Sequence, residues 1–232
     1  MVIVAVSSSE NPIRAQMVTL NLNTLTMGRI NNDGGQPVSE NFYDIYRYAG
    51  GLEGEFGALG KKWSWDAYYQ YGRTHTFVKT VGSRNNNRWT QALDAIAGPN
   101  GTIVCRNQTG GCVPFNIFGP NAASQAARDF VFGTQTSDTE RSQTAAAFNI
   151  NGEPLSTWAG PVALAFGAEY RKEKQNTYGD PLAQANVWDS GNTKRLAGQF
   201  DVYEGYAELA VPLAKDMAIA KWLAGALGAK VW

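Results

Sequence analysis

The sequence predicts an all-β protein whose strands form an antiparallel up-and-down meander. Five segments alternate apolar and polar residues with the period of two that places neighbours on opposite faces of a strand. Charged residues make up only 17% of the 232, whereas 12% are aromatic and 25 are glycine, a composition that suits strands and tight turns. Short turns also alternate with long polar loops, so we expect consecutive strands to pair as neighbours.

The alternating segments are residues 46–57, 63–73, 139–150, 162–171 and 203–211. In the clearest of them one face is aromatic and the other polar: Trp63, Trp65, Ala67, Tyr69 and Tyr71 against Ser64, Asp66, Tyr68, Gln70 and Gly72. The weakest keeps only Ala146, Phe148 and Ile150 on its apolar side. We expect an open sheet of five or six strands with short turns near 57–62 and 151–161, because these strands are too few to close around a lumen.

The loops at 78–138 and 175–198 are long and polar. Within the first, residues 87–98 are predicted to form a short amphipathic helix, because Trp89, Leu93 and Ile96 recur with helical spacing. Residues 123–133 predict a second helix that stops at Gly133. The sequence therefore places short helices in a long loop.

Charge and residue types argue against several classes of function. Lys+Arg and Asp+Glu are equal at 20 each, so no basic surface for nucleic acid is expected. The single histidine, His75, is predicted to be a solvated strand-end residue, and neither a catalytic triad nor a zinc site can be assembled around it. We expect no cofactor and no metal.

Two pairs of acids are candidates for catalytic carboxylates, Glu53 with Glu55 and Glu204 with Glu208. Residues two apart on a strand, as Glu53 and Glu55 are, are separated by about 6.6 Å, near the spacing between glycosidase carboxyl groups. Neither pair has a recognisable acid/base context, so we expect these acids to line a polar face and the protein not to be an enzyme.

Cys105 and Cys112 are the only cysteines, and Gly110 and Gly111 lie between them. The glycines supply a flexible turn that would bring the Cα atoms within about 7 Å, so a disulfide is expected. Two free thiols remain the alternative at this point.

Aromatic residues lie near the ends of the apolar faces, and small residues such as Ala67 and Ala168 lie between them. Aromatic girdles around an apolar band are typical of outer-membrane barrels, whose wet interior also accepts acids on the polar face. No signal peptide and no apolar run of about 20 residues is recognisable. The residues alone leave two alternatives open, a transmembrane β-barrel and a soluble β-sandwich or barrel.

Specific motifs add a resemblance to these patterns. The chain resembles the barrel domain of TonB-dependent outer-membrane receptors over about residues 11–213. The motifs, in order, are NPIRAQMVTLNLNTLTMGRINND (11–33), GLEGEFGALGKKWSWDAYYQYGRT (51–74), IVCRNQTGGCVPFNIFG (103–119), GEPLSTWAGPVALAFGAEYRKEK (152–174) and YEGYAELAVPL (203–213).

The resemblance implies a barrel of about 22 strands around a plug. It also implies energised uptake of a scarce ligand, a siderophore, sugar or similar, across the outer membrane of a Gram-negative bacterium. The expected partners are membrane lipid, the ligand, and the TonB complex through a plug region that this chain lacks. We therefore expect a fragment, in which residues 1–40 form the preceding barrel loop and strand, 41–232 form part of the barrel, and 221–232 do not continue a strand. The alternative is a secreted or surface carbohydrate-binding β-protein.

Overall fold

A computed structural model of the chain describes residues 2–5, 14–27 and 36–212. Its elements, in chain order, are β1 (Val2–Ala5), α1 (Arg14–Thr19), β2 (Thr24–Met27), β3 (Val38–Ala58), β4 (Lys61–Arg84), α2 (Asn86–Leu93), β5 (Ala95–Ala97), β6 (Ile103–Cys105), α3 (Gln125–Val131), β7 (Phe132–Thr157), β8 (Gly160–Gly179), α4 (Pro181–Gln184) and β9 (Leu196–Ala210). Among these residues, no helix combines the length and the apolarity needed to cross a bilayer.

Five strands form the main sheet in the order β3-β4-β7-β8-β9, and the sheet is mostly antiparallel. This confirms the predicted all-β meander. The described strands do not close into a barrel. β1 and β2 pair with each other in a separate two-stranded sheet, so within the described residues the N-terminal segment adds no strand to the main one. The expected end of the strands in residues 221–232 lies outside the described residues.

Two hairpins of the sheet turn within two residues. Between β3 and β4 the turn residues Leu59 and Gly60 have φ of 54° and 70°, the left-handed pair that matches the twist of a hairpin. Between β7 and β8 the hydroxyl of Thr157 accepts from the N–H of Ala159 and donates to the carbonyl of Gly160. Both turns lie inside the predicted ranges.

The strands run further than their alternating segments. β4 continues to Arg84 and β7 starts at Phe132, so the first long loop is 85–131, and the second is 180–195. The extensions are polar but still paired: the hydroxyls of Ser39 and Thr80 are 2.8 Å apart across β3 and β4. Hydrogen-bonded pairing therefore carries these strands past the point where their sequence stops alternating.

The helices of the first loop are shorter than predicted. α2 begins after Asn85, whose side chain caps the N–H of Arg88, and it ends at Leu93. The predicted helix 87–98 was wrong beyond that point, because Ala95–Ala97 pairs with Ile103–Cys105 as a small β-hairpin. α3 stops at Val131 instead of Gly133, since Phe132 already belongs to β7.

Two compact units divide the chain, and their boundary crosses the long strands. The loop unit comprises Met1–Phe42, Thr76–Asp138 and Thr177–Arg195, and the sheet unit comprises Tyr43–His75, Thr139–Asn176 and Leu196–Trp232. The loop unit has its own hydrophobic core, made of Trp89, Ala92, Phe115, Ile117, Ala123, Ala127, Phe130 and Val131.

Candidate functional site

The apolar face of the sheet unit is held together by aromatic pairs between neighbouring strands. Ring centroids are 6.3 Å apart for Phe56 and Trp63 and 5.0 Å apart for Tyr170 and Tyr203. Trp65 stacks on Phe148 at 6.2 Å. Each pair joins residues that alternation assigns to the same face, so the predicted faces are confirmed on all five strands.

Most large side chains of the apolar face are exposed in the described part of the chain. Tyr203 is 78% exposed, Leu52 72% and Phe166 40%. A soluble sandwich would cover these residues with a second layer. The sheet unit instead presents them as a bare surface.

Trp63 is an exception to this exposure. It lies on the predicted aromatic face, but only 8% of it is exposed. The ring of Phe56 stacks on one side of it, and a side chain at Gly152 would lie 2.6 Å from the indole. The missing side chain at Gly152 therefore lets the indole lie flat against β7.

The apolar band of this face has charged ends. On β4 it spans residues 63–71 and is followed by Arg73, which pairs with Glu140 of β7. On the same face of β8, Lys172 lies 3.4 Å from Asp201 of β9, just past Tyr170. At the other end, the turn residue Trp158 is 73% exposed.

The opposite, polar face carries a row of hydrogen bonds across four strands. Arg47 of β3 donates to Gln70 of β4 at 3.0 Å, and Gln70 donates to Gln143 of β7 at 3.4 Å. Gln143 in turn donates to Glu173 of β8 at 3.0 Å. We call these four residues the amide row.

A second group of contacts lies nearer the short turns. Asn149 of β7 donates to Asp66 of β4 at 2.8 Å and accepts from the Tyr206 hydroxyl of β9 at 3.0 Å. Ser64 bonds Asn151 at 2.6 Å. These contacts order the polar side chains on this part of the face.

Charge is unevenly distributed over the polar face. Between the short turns and the amide row lie mainly acids: Glu53, Glu55, Asp66, Glu153, Glu169, Glu204 and Glu208. At and beyond the row the charges are mainly cationic: Arg47, Arg141 and Arg171 with Glu173. The face is thus acidic near the turns and basic at the level of the row.

A cleft of about 640 Å³ opens at the level of the amide row. All five strands contribute to its lining, through 45–47, 72–74, 141–143, 173–175, Leu196 and 198–200. The volume lies in the range of small-molecule sites.

The loop unit contains the predicted disulfide. Cys105 and Cys112 are bonded, with Cα atoms 6.1 Å apart, and Gly110 and Gly111 both have positive φ. The bond joins β6 to the segment that carries Phe115, whose ring lies 4.8 Å from that of Trp89. It therefore ties the small hairpin to the core of the loop unit.

Asp180 and Trp188 order the second loop. Asp180 caps α4 by accepting from the N–H groups of Leu182 and Ala183, and it also accepts from the N–H of Thr136 and the indole of Trp188. Burial alone would raise the pKa of Asp180, but these four hydrogen bonds outweigh it and lower the pKa. Trp188 is 3% exposed and bridges Asn85, so the two long loops are joined.

The acids and the histidine considered from the sequence lie on three strands: Glu53 and Glu55 on β3, His75 on β4, and Glu204 and Glu208 on β9. Glu55 pairs with Lys62 at 2.9 Å, and no ion pair reaches Glu53, Glu204 or Glu208 among the described residues. His75 lies within β4, 3.6 Å from Asp44, and not at a strand end. No group of three or more potential metal ligands occurs in the described part of the chain.

Two features of the site were not predicted. The amide row joins residues far apart in the sequence, and the only signal was that Gln70 belongs to a polar face. The Asp180–Trp188 contact has a clearer signal, because Asp-Pro before a short helix is a favourable start for one.

Comparison of the chain with protein-family models, with curated proteins and with solved structures found no match in any of the three.

Proposed function

We propose that this chain forms part of the barrel wall of a TonB-dependent outer-membrane receptor, which takes up a scarce small ligand in a Gram-negative bacterium. The observation that carries the proposal is a single sheet with an exposed apolar face and a hydrogen-bonded, charged face. In a membrane barrel, lipid covers the first and water wets the second.

The dimensions of the apolar band support this proposal. A tilted strand needs about 9–11 residues to cross the hydrocarbon core. On β4 the band covers residues 63–71 before Arg73, and on β8 it covers 162–170 before Lys172. The flanking aromatic and charged residues are those expected at the two interfaces.

The connections support it as well. Two-residue turns join β3 to β4 and β7 to β8, whereas long structured loops join β4 to β7 and β8 to β9. Outer-membrane barrels have short periplasmic turns and longer extracellular loops. The family assignment itself depends on the motifs at 51–74, 103–119, 152–174 and 203–213.

The carbohydrate-binding alternative needs aromatic rings that are accessible in the loops. The loop tryptophans Trp89 and Trp188 are 6% and 3% exposed, so neither can stack on a sugar without rearrangement. This observation favours the receptor over the lectin.

Labels at two adjacent residues test the proposal. Leu52 and Glu53 are both exposed and lie on opposite faces of β3. We expect an environment-sensitive fluorophore on Leu52→Cys, in chain refolded into lipid vesicles with the native disulfide intact, to be quenched by lipid-attached spin labels. The same fluorophore on Glu53→Cys should be quenched by aqueous iodide. The proposal would be contradicted if the lipid spin labels, or the aqueous iodide, quenched the two labels equally, or if the chain did not associate with vesicles.

A further inference from the structure

The cleft at the amide row contains two arginines that have no carboxylate partner in the part of the chain that the structure describes. Arg47 donates to the amide oxygen of Gln70, and Arg141 donates to that of Gln175, each at 3.0 Å. Neither arginine forms an ion pair with any described residue. Other basic side chains pair with carboxylates: Lys62 with Glu55, Arg73 with Glu140, Arg106 with Asp94.

These amide contacts fix the arginines without neutralising them. A guanidinium has five N–H donors, so one bond to a glutamine leaves most of them available. Among the residues that line the cleft from the polar face, Glu173 is the only carboxylate, against Arg47 and Arg141. The cleft therefore presents oriented donors and a net positive charge, the arrangement that binds carboxylates and phosphates.

Apolar side chains in the same cleft interrupt the polar face. Ile45 on β3, and Leu196 and Phe200 on β9, occupy positions that alternation assigns to that face. They are 68%, 56% and 53% exposed. These apolar residues lie on the polar face beside Arg47 and Arg141, and they provide a surface for the apolar body of an amphiphilic ligand.

We infer that this cleft binds a small organic oxyanion with an apolar or aromatic body, held by Arg47 and Arg141 through its carboxylate or phosphate and by Phe200 and its neighbours through its body. The inference rests on the proposed function for its biological meaning, because it names the class of ligand that the receptor wall contacts. Its chemistry depends only on the cleft.

Equilibrium dialysis of the full chain in dodecyl maltoside micelles tests it, with 2-naphthoate, 2-naphthyl phosphate and the neutral 2-naphthamide as probes and empty micelles subtracted. We expect both anions to bind saturably and the amide to bind more weakly by on the order of tenfold. Raising the salt concentration should weaken the binding of the two anions but not the binding of the amide. The ranking of the two anions identifies whether the cleft prefers carboxylate or phosphate.

Variants assign the binding to the cleft. Arg47→Gln and Arg141→Gln should each weaken anion binding by on the order of tenfold. Phe200→Ser should weaken the binding of all three probes. The control is Arg106→Gln, which removes an exposed arginine that is paired with Asp94 in the loop unit. Unchanged far-UV circular dichroism shows that each variant keeps its strands.

Three results would overturn the inference: equal binding of the amide and the anions, wild-type affinity in both cleft arginine variants, or equal loss in Arg106→Gln. Lipid quenching at Leu52 and Glu53 reports a different property, the face that meets lipid. If quenching alternates between Leu52 and Glu53 but the chain binds no anion, the anion-binding cleft is refuted and the membrane wall is not. If the chain binds anions but quenching does not alternate between Leu52 and Glu53, the membrane wall is refuted and the anion-binding cleft is not.

Discussion

Gly167 lies where β8 passes closest to side chains of both neighbouring strands. A Cβ at this position would lie 2.5 Å from Asn149 Oδ1, 2.7 Å from the Tyr206 ring and 2.8 Å from the carbonyl of Phe148. The absence of a side chain therefore allows the hydrogen bond between Asn149 and Tyr206. Backbone is among the atoms approached, so a rotamer change cannot relieve the contact.

We predict that Gly167→Ala destabilises the sheet by about 1–3 kcal/mol, through overpacking and loss of the bond from Tyr206. Urea unfolding in detergent, followed by circular dichroism, measures the change. The matched control is Gly50→Ala, where an added Cβ meets nothing within 4 Å, and we expect a change within about 0.5 kcal/mol. Equal midpoints for the two variants would contradict this explanation.

Asp180 gives the loop unit a pH dependence. Its pKa is lower in the folded chain than the ordinary 3.8, so the folded state favours the carboxylate. The stabilisation is complete well above pH 3.8 and is lost as the pH falls below that value towards the lowered pKa. The protection of the Leu182 and Ala183 amides against hydrogen exchange, measured relative to the intrinsic rate at each pH, should fall over that interval.

Asp180→Asn should destabilise this loop by about 1–2 kcal/mol at neutral pH, since an amide is a weaker cap and acceptor. It should also remove the acid-dependent loss of protection against exchange. Asp129→Asn is the control, because among the described residues the side chain of Asp129 accepts only from Gln125. Identical acid profiles for wild type and Asp180→Asn would exclude Asp180 as the titrating group.

At the scale of single elements, we expect the disulfide to affect the loop unit and not the main sheet. A disulfide that closes a loop of this length stabilises the folded chain by about 2–3 kcal/mol through loop-closure entropy. The residues next to the disulfide pack against the core of the loop unit. We predict that reduction, or Cys105→Ser with Cys112→Ser, loosens that core and leaves the five-stranded sheet intact. Near-ultraviolet circular dichroism should change while the far-ultraviolet spectrum does not. Loss of strand signal on reduction, or labelling of both thiols before it, would contradict the prediction.

The faces of the strands could be predicted because alternation is local. Period two in residues 63–73 specified which side chains meet Phe56 and Phe148 across the sheet. The ends of the strands could not be predicted in this way, because residues such as Ser39 and Thr80 are placed by pairing and not by hydrophobicity.

Local periodicity also misassigned residues 95–97. The spacing of Trp89, Leu93 and Ile96 suits a helix, but Ile96 pairs with Val104 instead. The partners in contacts between distant segments had no local signal: Trp188 bridges Asn85, and the amide row joins four strands. The disulfide could be predicted because its glycines and short spacing are local features.

At the scale of the whole molecule, solubility follows from the exposed apolar face. We predict that the chain aggregates in detergent-free buffer, because Leu52, Tyr203 and Leu209 have no second layer to cover them among the described residues. β3 and β9 also end the sheet as edge strands, which can pair with other chains. Size-exclusion chromatography with and without detergent measures this.

Paired lysine substitutions refine that prediction. Leu52→Lys should weaken association with vesicles and reduce aggregation in buffer, whereas Glu53→Lys, on the other face of the same strand, should change neither. A monomeric wild-type chain with a cooperative thermal transition in plain buffer would refute the membrane wall. The carbohydrate-binding alternative would then be preferred.

The amide row has a direction. Arg47 at one end can only donate hydrogen bonds, and an ionised Glu173 at the other can only accept them. Between these ends, Gln70 and Gln143 must each turn the carbonyl oxygen towards Arg47 and the NH₂ group towards Glu173. Reversing one amide would set oxygen against oxygen on one side and NH₂ against NH₂ on the other. The two ends thus require the same one of the two orientations of each glutamine, and either end alone is enough to fix it, so only replacement of both end residues by glutamine would allow the whole row to reverse.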